Sequence, residues 1–462
     1  MNAAVEPDVA VIGGGLIGCA IARELARTNL TVMIVEARQD VGDGTSKANT
    51  AILHTGFDAK PGTLESRLVS RGYHLLKEYA GRVNIGVKPV GAVLVAWTRE
   101  EFDSLPSLKE KAERNGYTET HIVDAQNIYE QVPHLGPGAL GGLRVPDESI
   151  ICTWTTSLAL ATEAVECGAG IRFGAAVTAV EVGPEYTTLT VGTDRIRARW
   201  VINAAGLGGD VVDAMFGYDR IHVHPRRGEL FVFDKLAAAL TDVIILPVPS
   251  KLGKGVLVSP TIYGNVMLGP TAEDMEDRTD TATTEAGFDF LLAKGKTLMP
   301  RLMNEEVTAT YAGLRAAHDR DDYLIEISAA QRYVIAGGIR STGLTSCMAV
   351  AEYVRELLIA AGVPIVDRAD LPASPRMPTL AEHELRPFAD AERIAADPTY
   401  GTLVCFCERV SEGEIRDAFE TPVPPHTLEG LRRRTRAMNG RCQGFFCGAK
   451  VQDLYDRGAR TH

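Results

Sequence analysis

An α/β fold with a small helical domain appended is what this 462-residue sequence predicts, and three observations carry the prediction. The first is a strand, glycine turn and helix at the start, marked by Gly13, Gly15 and Gly18. The second is a long middle with period-two alternation and turn residues, which reads as a mixed sheet. The third is a group of four cysteines, Cys405, Cys407, Cys442 and Cys447, crowded near the end among short helical stretches. At 45% hydrophobic the chain can fill two or three cores, because a single core rarely grows beyond about 250 residues.

In the first element, residues 8–13 form a short apolar run ending on glycine, and 16–28 place Ile17, Ala20, Ile21 and Leu25 on one helical face. Gly13 permits the tight turn, Gly15 admits a pyrophosphate to the backbone, and Gly18 lets helix pack on strand. Amides at the helix N-terminus then face the phosphates. The next strand, 31–35, ends at Glu36, whose carboxylate suits the ribose hydroxyls and repels a 2′-phosphate. This is a Rossmann-type pattern, and by itself it leaves FAD and NAD open.

In the middle, alternation over 87–97, 228–234 and 255–270, with Tyr263, Gly264 and Asn265 as a hairpin turn, predicts strands. A formal net charge of -12 argues against a nucleic-acid or anionic-membrane surface, since both attract basic faces. No window approaches the roughly 18 to 20 apolar residues of a membrane span. With no leader pattern at the start, a cytoplasmic location is expected, any membrane contact being peripheral at the inner face.

Five prolines, Pro364, Pro372, Pro375, Pro378 and Pro387, make 363–398 read as a surface linker, with a separate unit at 399–462. There a strand is predicted over 403–407, Ser411 and Glu414 form a capping box for a helix to Phe419, and Thr427 caps a second helix rich in arginine. A third helix spans 449–455. The cysteine spacing is C-x-C, thirty-four residues, then C-x4-C. Such clustering reads as a metal site rather than as disulfides, and spacing alone leaves zinc and an iron–sulfur cluster open. The isolated Cys19, Cys152, Cys167 and Cys347 read as core thiols.

Three stretches carry a resemblance: Gly44-Thr45-Ser46 through His54-Thr55-Gly56 to Lys60-Pro61-Gly62-Thr63; 200–210; and 333–345. On these residues the sequence resembles the glycerol-3-phosphate dehydrogenase and L-2-hydroxyglutarate dehydrogenase branch of the FAD-dependent D-amino acid oxidase superfamily. The last segment, including Arg441-Cys442-Gln443-Gly444, resembles the bacterioferritin-associated ferredoxin-like [2Fe-2S] module. The resemblance implies a discontinuous FAD-binding domain (1–85, 148–221 and 313–362), a mixed-sheet substrate domain (86–147 and 222–312) and a small helical [2Fe-2S] domain. It implies FAD contacts at Gly13, Gly15, Gly18, Glu36, Thr45, Ser46, Asn49, Thr50, Val177, Gly206, Gly338, Gly343, Leu344 and Thr345. Cys405, Cys407, Cys442 and Cys447 are implied as cluster ligands.

Oxidation of a secondary alcohol requires a base for the hydroxyl proton, and histidine suits that task. The resemblance implies His54 as that base and Arg315 as the anchor of an anionic substrate, for which guanidinium geometry is apt. Lys254 and Arg340 can add charge and Arg227 can serve substrate or FAD, with a solvated surface role as the alternative for all three. The expected reaction is oxidation of a small anionic 2-hydroxy compound, first of all sn-glycerol 3-phosphate. Electrons are expected to leave through the cluster to a quinone, an electron carrier or a membrane-associated partner subunit. L-2-hydroxyglutarate or an amine is the alternative substrate; a redox sensor, or an NAD enzyme with structural zinc, is the alternative class.

Overall fold

The computed structural model describes residues 6–249 and 255–460. Val9–Ile12 lies inside a six-stranded sheet in the order Leu324–Ser328, Tyr333–Gly337, Trp200–Asn203, Val9–Ile12, Val32–Val35, Gly170–Arg172. All neighbours are parallel except the outermost pair, Leu324–Ser328 with Tyr333–Gly337. The period of two assigns each residue a face. Val9 and Val11 enter the large core with helices Leu16–Ala26, Leu64–Val83, Thr153–Glu166 and Gly343–Ala360, whereas Ala10 and Ile12 enter a second core with the antiparallel sheet Val177–Val182, Thr187–Val191, Asp194–Ala198.

The glycine turn is fixed sterically. Gly13 has φ +110°, and a Cβ there would meet the Ala204 carbonyl oxygen at 2.5 Å. A Cβ on Gly18 would stand 1.8 Å from the Gly13 carbonyl oxygen, so helix Leu16–Ala26 can approach the strand only with glycine there.

The second sheet has nine strands, and its spine is the antiparallel pair Val223–Phe233 and Val307–His318. Ala92, Leu94 and Ala96 of its strand Ala92–Ala96 face the large core; Val93 and Val95 face a third core with Phe231, Phe233 and Leu291. Both faces are covered, which is why that strand is apolar throughout.

Several expectations meet a different arrangement. Helices Arg99–Arg114, Ala125–Gln131 and Glu285–Leu298 lie between the predicted strands, in stretches for which the pattern predicts no element, begun by the side-chain caps Thr98, Asp124 and Thr284. The expected boundary at 312/313 falls inside the continuous strand Val307–His318. Val87–Pro89 pairs with Ser149–Ile151 rather than joining the nine-stranded sheet, because the chain turns at Gly91 with φ +70°. In the proline-rich 363–398 stretch, Met377, Leu380 and Ala381 are buried in the large core, and a short helix, Ala391–Ala396, begins at its Asp390 cap. Proline denies that stretch regular pairing but leaves its apolar side chains free to fill a groove.

In the C-terminal unit, Leu403–Cys405 pairs with Val410–Ser411, and helices Glu412–Asp417, Leu428–Thr435 and Gly448–Ala459 close over Phe419, Leu431 and Val451. The Ser411–Glu414 capping box and the Thr427 cap are present. This unit is clamped to the dinucleotide domain at Asp40. Arg434 donates to both Asp40 oxygens (2.7 and 2.8 Å), Arg433 adds a third bond at 2.7 Å, and the carboxylate is fully enclosed.

Burial alone would raise the Asp40 carboxyl, but Arg434 and Arg433 outweigh it and hold the group below the usual carboxylate range. The clamp therefore stabilises the fold above about pH 4 and loses its contribution as the pH falls through the lowered folded-state value. Asp40→Ala should cost about 3–5 kcal/mol at neutral pH, the range for stripping one partner from a buried ion pair. Chemical denaturation should show this loss, and the gap to wild type should narrow as the pH drops below about 4.

Candidate active site and candidate cluster domain

His54 follows the short strand Ile52–Leu53, and its backbone amide donates to Thr345 Oγ1 at 3.0 Å. The residue is thereby pinned to the first turn of helix Gly343–Ala360, which opens two residues before Thr345. Its Nδ1 lies 2.9 Å from Glu148 Oε2. The other Glu148 oxygen accepts from the Thr55 amide at 2.7 Å and the Thr55 hydroxyl at 2.9 Å, and the side chain is fully buried. A carboxylate acceptor there holds the proton on Nδ1 and leaves Nε2 as the free acceptor of the ring. Glu148 has no mark in the sequence beyond an acid in the turn Pro146-Asp147-Glu148; it meets His54 only through the pairing of Ile52–Leu53 with Ser149–Ile151.

The 45–50 loop runs between the first helix and the Val307–His318 strand. Thr45 Oγ1 donates to the Leu314 carbonyl at 2.8 Å, and the Leu16 amide donates to Ser46 Oγ at 3.0 Å. Asn49 Nδ2 donates to the Ser46 carbonyl at 2.8 Å and Thr153 Oγ1 at 3.0 Å, while Tyr311 donates to the Asn49 carbonyl at 2.9 Å. Thr50 leads into Ala51, which turns the chain at φ +54°.

Next to Leu314, Arg315 stands opposite Arg226 across the sheet. Its Nη2 donates to the Thr271 carbonyl at 3.3 Å. Burial and then the Arg226 charge push its pKa down, and among the described residues no carboxylate pairs with it. Arg226 itself is taken by Asp274. A part-buried guanidinium without a counterion is chemically suited to an anion.

The other expected cations are placed differently. Arg227 is buried among Glu273 (2.6 Å), Asp280 (3.3 Å) and Glu229 (3.4 Å), so its charge is spent within the fold and not on substrate or FAD. Arg340 reaches the Asp321 carbonyl at 3.3 Å and Glu65 at 3.7 Å, half-exposed. Lys254 lies outside the described residues.

On the dinucleotide side, the Glu36 carboxylate accepts from the Gly14 and Arg38 amides at the end of Val32–Val35. Gly15 caps helix Leu16–Ala26, whose first turn carries no acid, the kind of helix N-terminus that suits a phosphate. Val177 opens its strand, Gly206 turns at φ +56° after Trp200–Asn203, and Gly338 turns at φ +69° with its carbonyl accepting from His318 Nε2 at 2.8 Å. Gly343 and Leu344 begin the helix that reaches His54. The donors, the open glycines and the acid together fit a dinucleotide cofactor.

At the cysteine end the thiols stand as two contacting pairs, Cys407 with Cys442 and Cys405 with Cys447, none in a disulfide. Among the described residues no three or more Cys, His, Asp or Glu are assembled as a metal cage. The environment nonetheless favours thiolate at one corner: the amides of Phe446, Gly444 and Phe445 face Cys442, and they pull its thiol down. Burial and the neighbouring Cys442 push Cys407 up, and burial with Cys405 pushes Cys447 up to about 12. Two contacting thiol pairs, one of them with a cysteine that backbone amides hold toward thiolate, supply the donor chemistry that a positively charged inorganic centre takes.

A continuous chain of contacts joins this end to the dinucleotide loop. Glu408, next to Cys407, is buried against Arg436 (2.8 Å) and Lys235 (3.2 Å). The Arg436 guanidinium lies 3.9 Å over the Tyr263 ring, Tyr263 stacks on Trp154 at 5.3 Å, and Trp154 Nε1 donates to the Lys47 carbonyl at 3.1 Å. The arginine-rich helix is the only trace of this column in the sequence.

Residues 8–357 match the family described as FAD dependent oxidoreductase. The chain belongs to that family. Residues 403–457 match the BFD-like [2Fe-2S] binding domain, so FAD and a [2Fe-2S] cluster are its cofactors and the NAD and zinc alternatives fall away. This oxidoreductase is 36% identical to the glycerol 3-phosphate dehydrogenase of Caloramator mitchellensis, over 97% of this chain and 94% of that protein. It is 27% identical to one subunit of the anaerobic glycerol-3-phosphate dehydrogenase of Escherichia coli (strain K12), over 97% of this chain and 88% of the relative. Its fold is similar to that of dithionite-reduced L-alpha-glycerophosphate oxidase from Mycoplasma pneumoniae with FAD bound, at a TM-score of 0.76 and 25% identity, over 81% of this chain and 99% of that one.

Cys442→Ser removes the thiol that the three amides prepare as an anion. Purified anaerobically, the variant should lose most of its iron and acid-labile sulfide while keeping full FAD content, as metal analysis and flavin release will show.

Proposed function

We propose that this FAD-dependent oxidoreductase converts sn-glycerol 3-phosphate to dihydroxyacetone phosphate and passes the electrons through its cluster to a separate acceptor. The observation that carries the reading is Arg315, a part-buried cation without a carboxylate partner among the described residues, set beside the 45–50 loop. Relatives named as glycerol 3-phosphate dehydrogenases and oxidases support a phosphate on the substrate.

Bound FAD supplies a two-electron hydride acceptor, and the cluster a one-electron store. Gly13, Gly15, Gly18, Glu36 and the 45–50 loop would hold the FAD, with Val177, Gly206, Gly338, Gly343, Leu344 and Thr345 at its remaining edges. Cys405, Cys407, Cys442 and Cys447 would hold the iron. Arg315 binds the phosphate and sets the carbinol beside His54. His54 Nε2 takes the hydroxyl proton while Glu148 keeps the proton on Nδ1 and steadies the resulting imidazolium. Thr345 fixes the His54 backbone. Arg340 adds a weaker field, since Glu65 already offsets it. For the acceptor, a separate protein rather than a free quinone is favoured by the E. coli relative's being named as one component of a larger enzyme. Among the described residues no helix is long and apolar enough to cross a membrane, so contact with a membrane, if it occurs in the cell, is peripheral in this reading.

Anaerobic mixing tests the substrate directly: sn-glycerol 3-phosphate should bleach the flavin band, whereas L-2-hydroxyglutarate and amino acids should not. Bleaching by 2-hydroxyglutarate alone overturns the assignment. Arg315→Met should raise KM about 10- to 100-fold, the equivalent of about 1.5–3 kcal/mol for a charged hydrogen bond. His54→Asn should slow flavin reduction by about 10²–10⁴ with little change in substrate affinity, and Glu148→Gln should slow the same step by a smaller factor. Single-turnover absorbance measurements separate these effects.

A further inference from the structure

We propose that Phe406, Phe445 and Phe446 form the docking surface for a separate electron-carrier protein that collects electrons one at a time from the cluster. The proposal rests on the reading of the four cysteines as cluster ligands.

Phe406 stands between Cys405 and Cys407, and Phe445 and Phe446 stand between Cys442 and Cys447. They are 71%, 86% and 80% exposed, whereas no other phenylalanine of the chain exceeds 46%. Folding of the C-terminal unit does not call for them, because its core is built from Val404, Val410, Ile415, Phe419, Leu431 and Val451. Phe445 and Phe446 hold each other in an edge contact, with ring centroids 5.4 Å apart. Leaving such a ring in water forgoes the free energy of burying it. Three of them on the turns that carry the thiols mark a surface that something covers. Cys407 and Cys442 are also the two thiols nearest solvent, so whatever covers these turns lies close to the cluster edge.

Size and charge select the occupant. Three phenyl side chains, at about 150–250 Å² each, present on the order of 400–500 Å². That falls short of the roughly 800 Å² per partner in a stable complex and suits the small interfaces of transient electron-transfer encounters. A permanent second copy of this chain is thereby disfavoured. The neighbouring cations are already paired: Arg441 with Asp234 and Glu306, Lys450 with Glu412, and Arg409 with Glu382. The border of the patch therefore offers little free charge, and the protein's net charge of -12 opposes anionic lipid. The occupant that fits is a redox protein with an apolar face over its own cofactor. Each encounter oxidises the reduced cluster by one electron and reduces the carrier by one, so two encounters clear the two electrons of one substrate.

The test uses the full chain loaded with FAD and cluster, with iron and sulfide assayed, and drives it with sn-glycerol 3-phosphate. The probes are azurin, a blue-copper protein whose metal lies beneath an apolar face, ferricyanide as a small acceptor, and phosphatidylcholine vesicles. The triple variant Phe406→Ser, Phe445→Ser, Phe446→Ser keeps the backbone amides that face Cys442, and Phe290→Ser is the control at an exposed phenylalanine elsewhere. The expected result is a fall of at least tenfold in kcat/KM for azurin in the triple variant only, carried by KM and insensitive to added salt. Cluster reduction by substrate and turnover with ferricyanide should match wild type. Equal azurin reduction by both proteins overturns the proposal, as does a wild type that fills its cluster yet cannot reduce azurin. Vesicle binding by wild type that the variant loses overturns it in favour of a membrane contact. A protein without stoichiometric iron overturns the cluster reading itself, one whose cluster stays oxidised after flavin reduction overturns the electron route and the proposal with it, and the iron assay and the cluster spectrum tell these failures apart.

Discussion

Buried charge has to be paired, and that requirement seats the C-terminal unit on the rest of the molecule. Asp40, in the loop after Glu36, takes Arg433 and Arg434; Glu408, beside Cys407, takes Arg436 and Lys235. Each acid is enclosed, so neither pair can be opened without stranding charge in a low-dielectric interior. One clamp is anchored on the dinucleotide domain and the other reaches the nine-stranded sheet through Lys235. Together they hold the thiols in one position relative to the 45–50 loop. The stacked Tyr263 and Trp154 fill the space between, under the Arg436 guanidinium.

Against that background Arg315 stands out by its lack of compensation. Arg227, Arg226, Arg434 and Arg436 are all met by acids, and their charges serve the fold. Arg315 is part-buried and meets a carbonyl rather than an acid. The same logic in reverse applies at Glu148, a buried acid whose partners are Thr55 and the imidazole of His54 rather than a permanent cation. Its field is therefore available to a proton arriving on His54. In the proposed reading the active site is the place where pairing is left incomplete, and a bound anion and a transferred proton would complete it.

Much of this architecture can be read from local pattern. The glycine turn and the two helical caps at Ser411 and Thr427 follow from backbone sterics and orphan amides within a few residues, and they form where the pattern places them. The helices Arg99–Arg114 and Glu285–Leu298 are harder to read because their apolar stripes are thin. Charged surface residues dominate the first, and the second exposes Phe290 and Leu292 beside its buried Leu291 and Leu298, so neither shows one clean apolar face. The proline-rich stretch misleads in another way: its composition rules out regular structure but says nothing about burial, and three of its side chains complete the large core.

Spacing along one chain and the chemistry of single residues set the inventory, a dinucleotide turn and a four-thiol unit, to which the family resemblance adds His54 and Arg315. Which of the charges are free to act is a matter of long-range packing, and no local pattern records it. Glu148 reaches His54 across 94 residues and Arg434 reaches Asp40 across 394. Those contacts are set by sheet pairing and domain seating. Arg227 and Arg315 look alike in sequence; acids brought in from Glu273 and Asp280 neutralise the one and leave the other open.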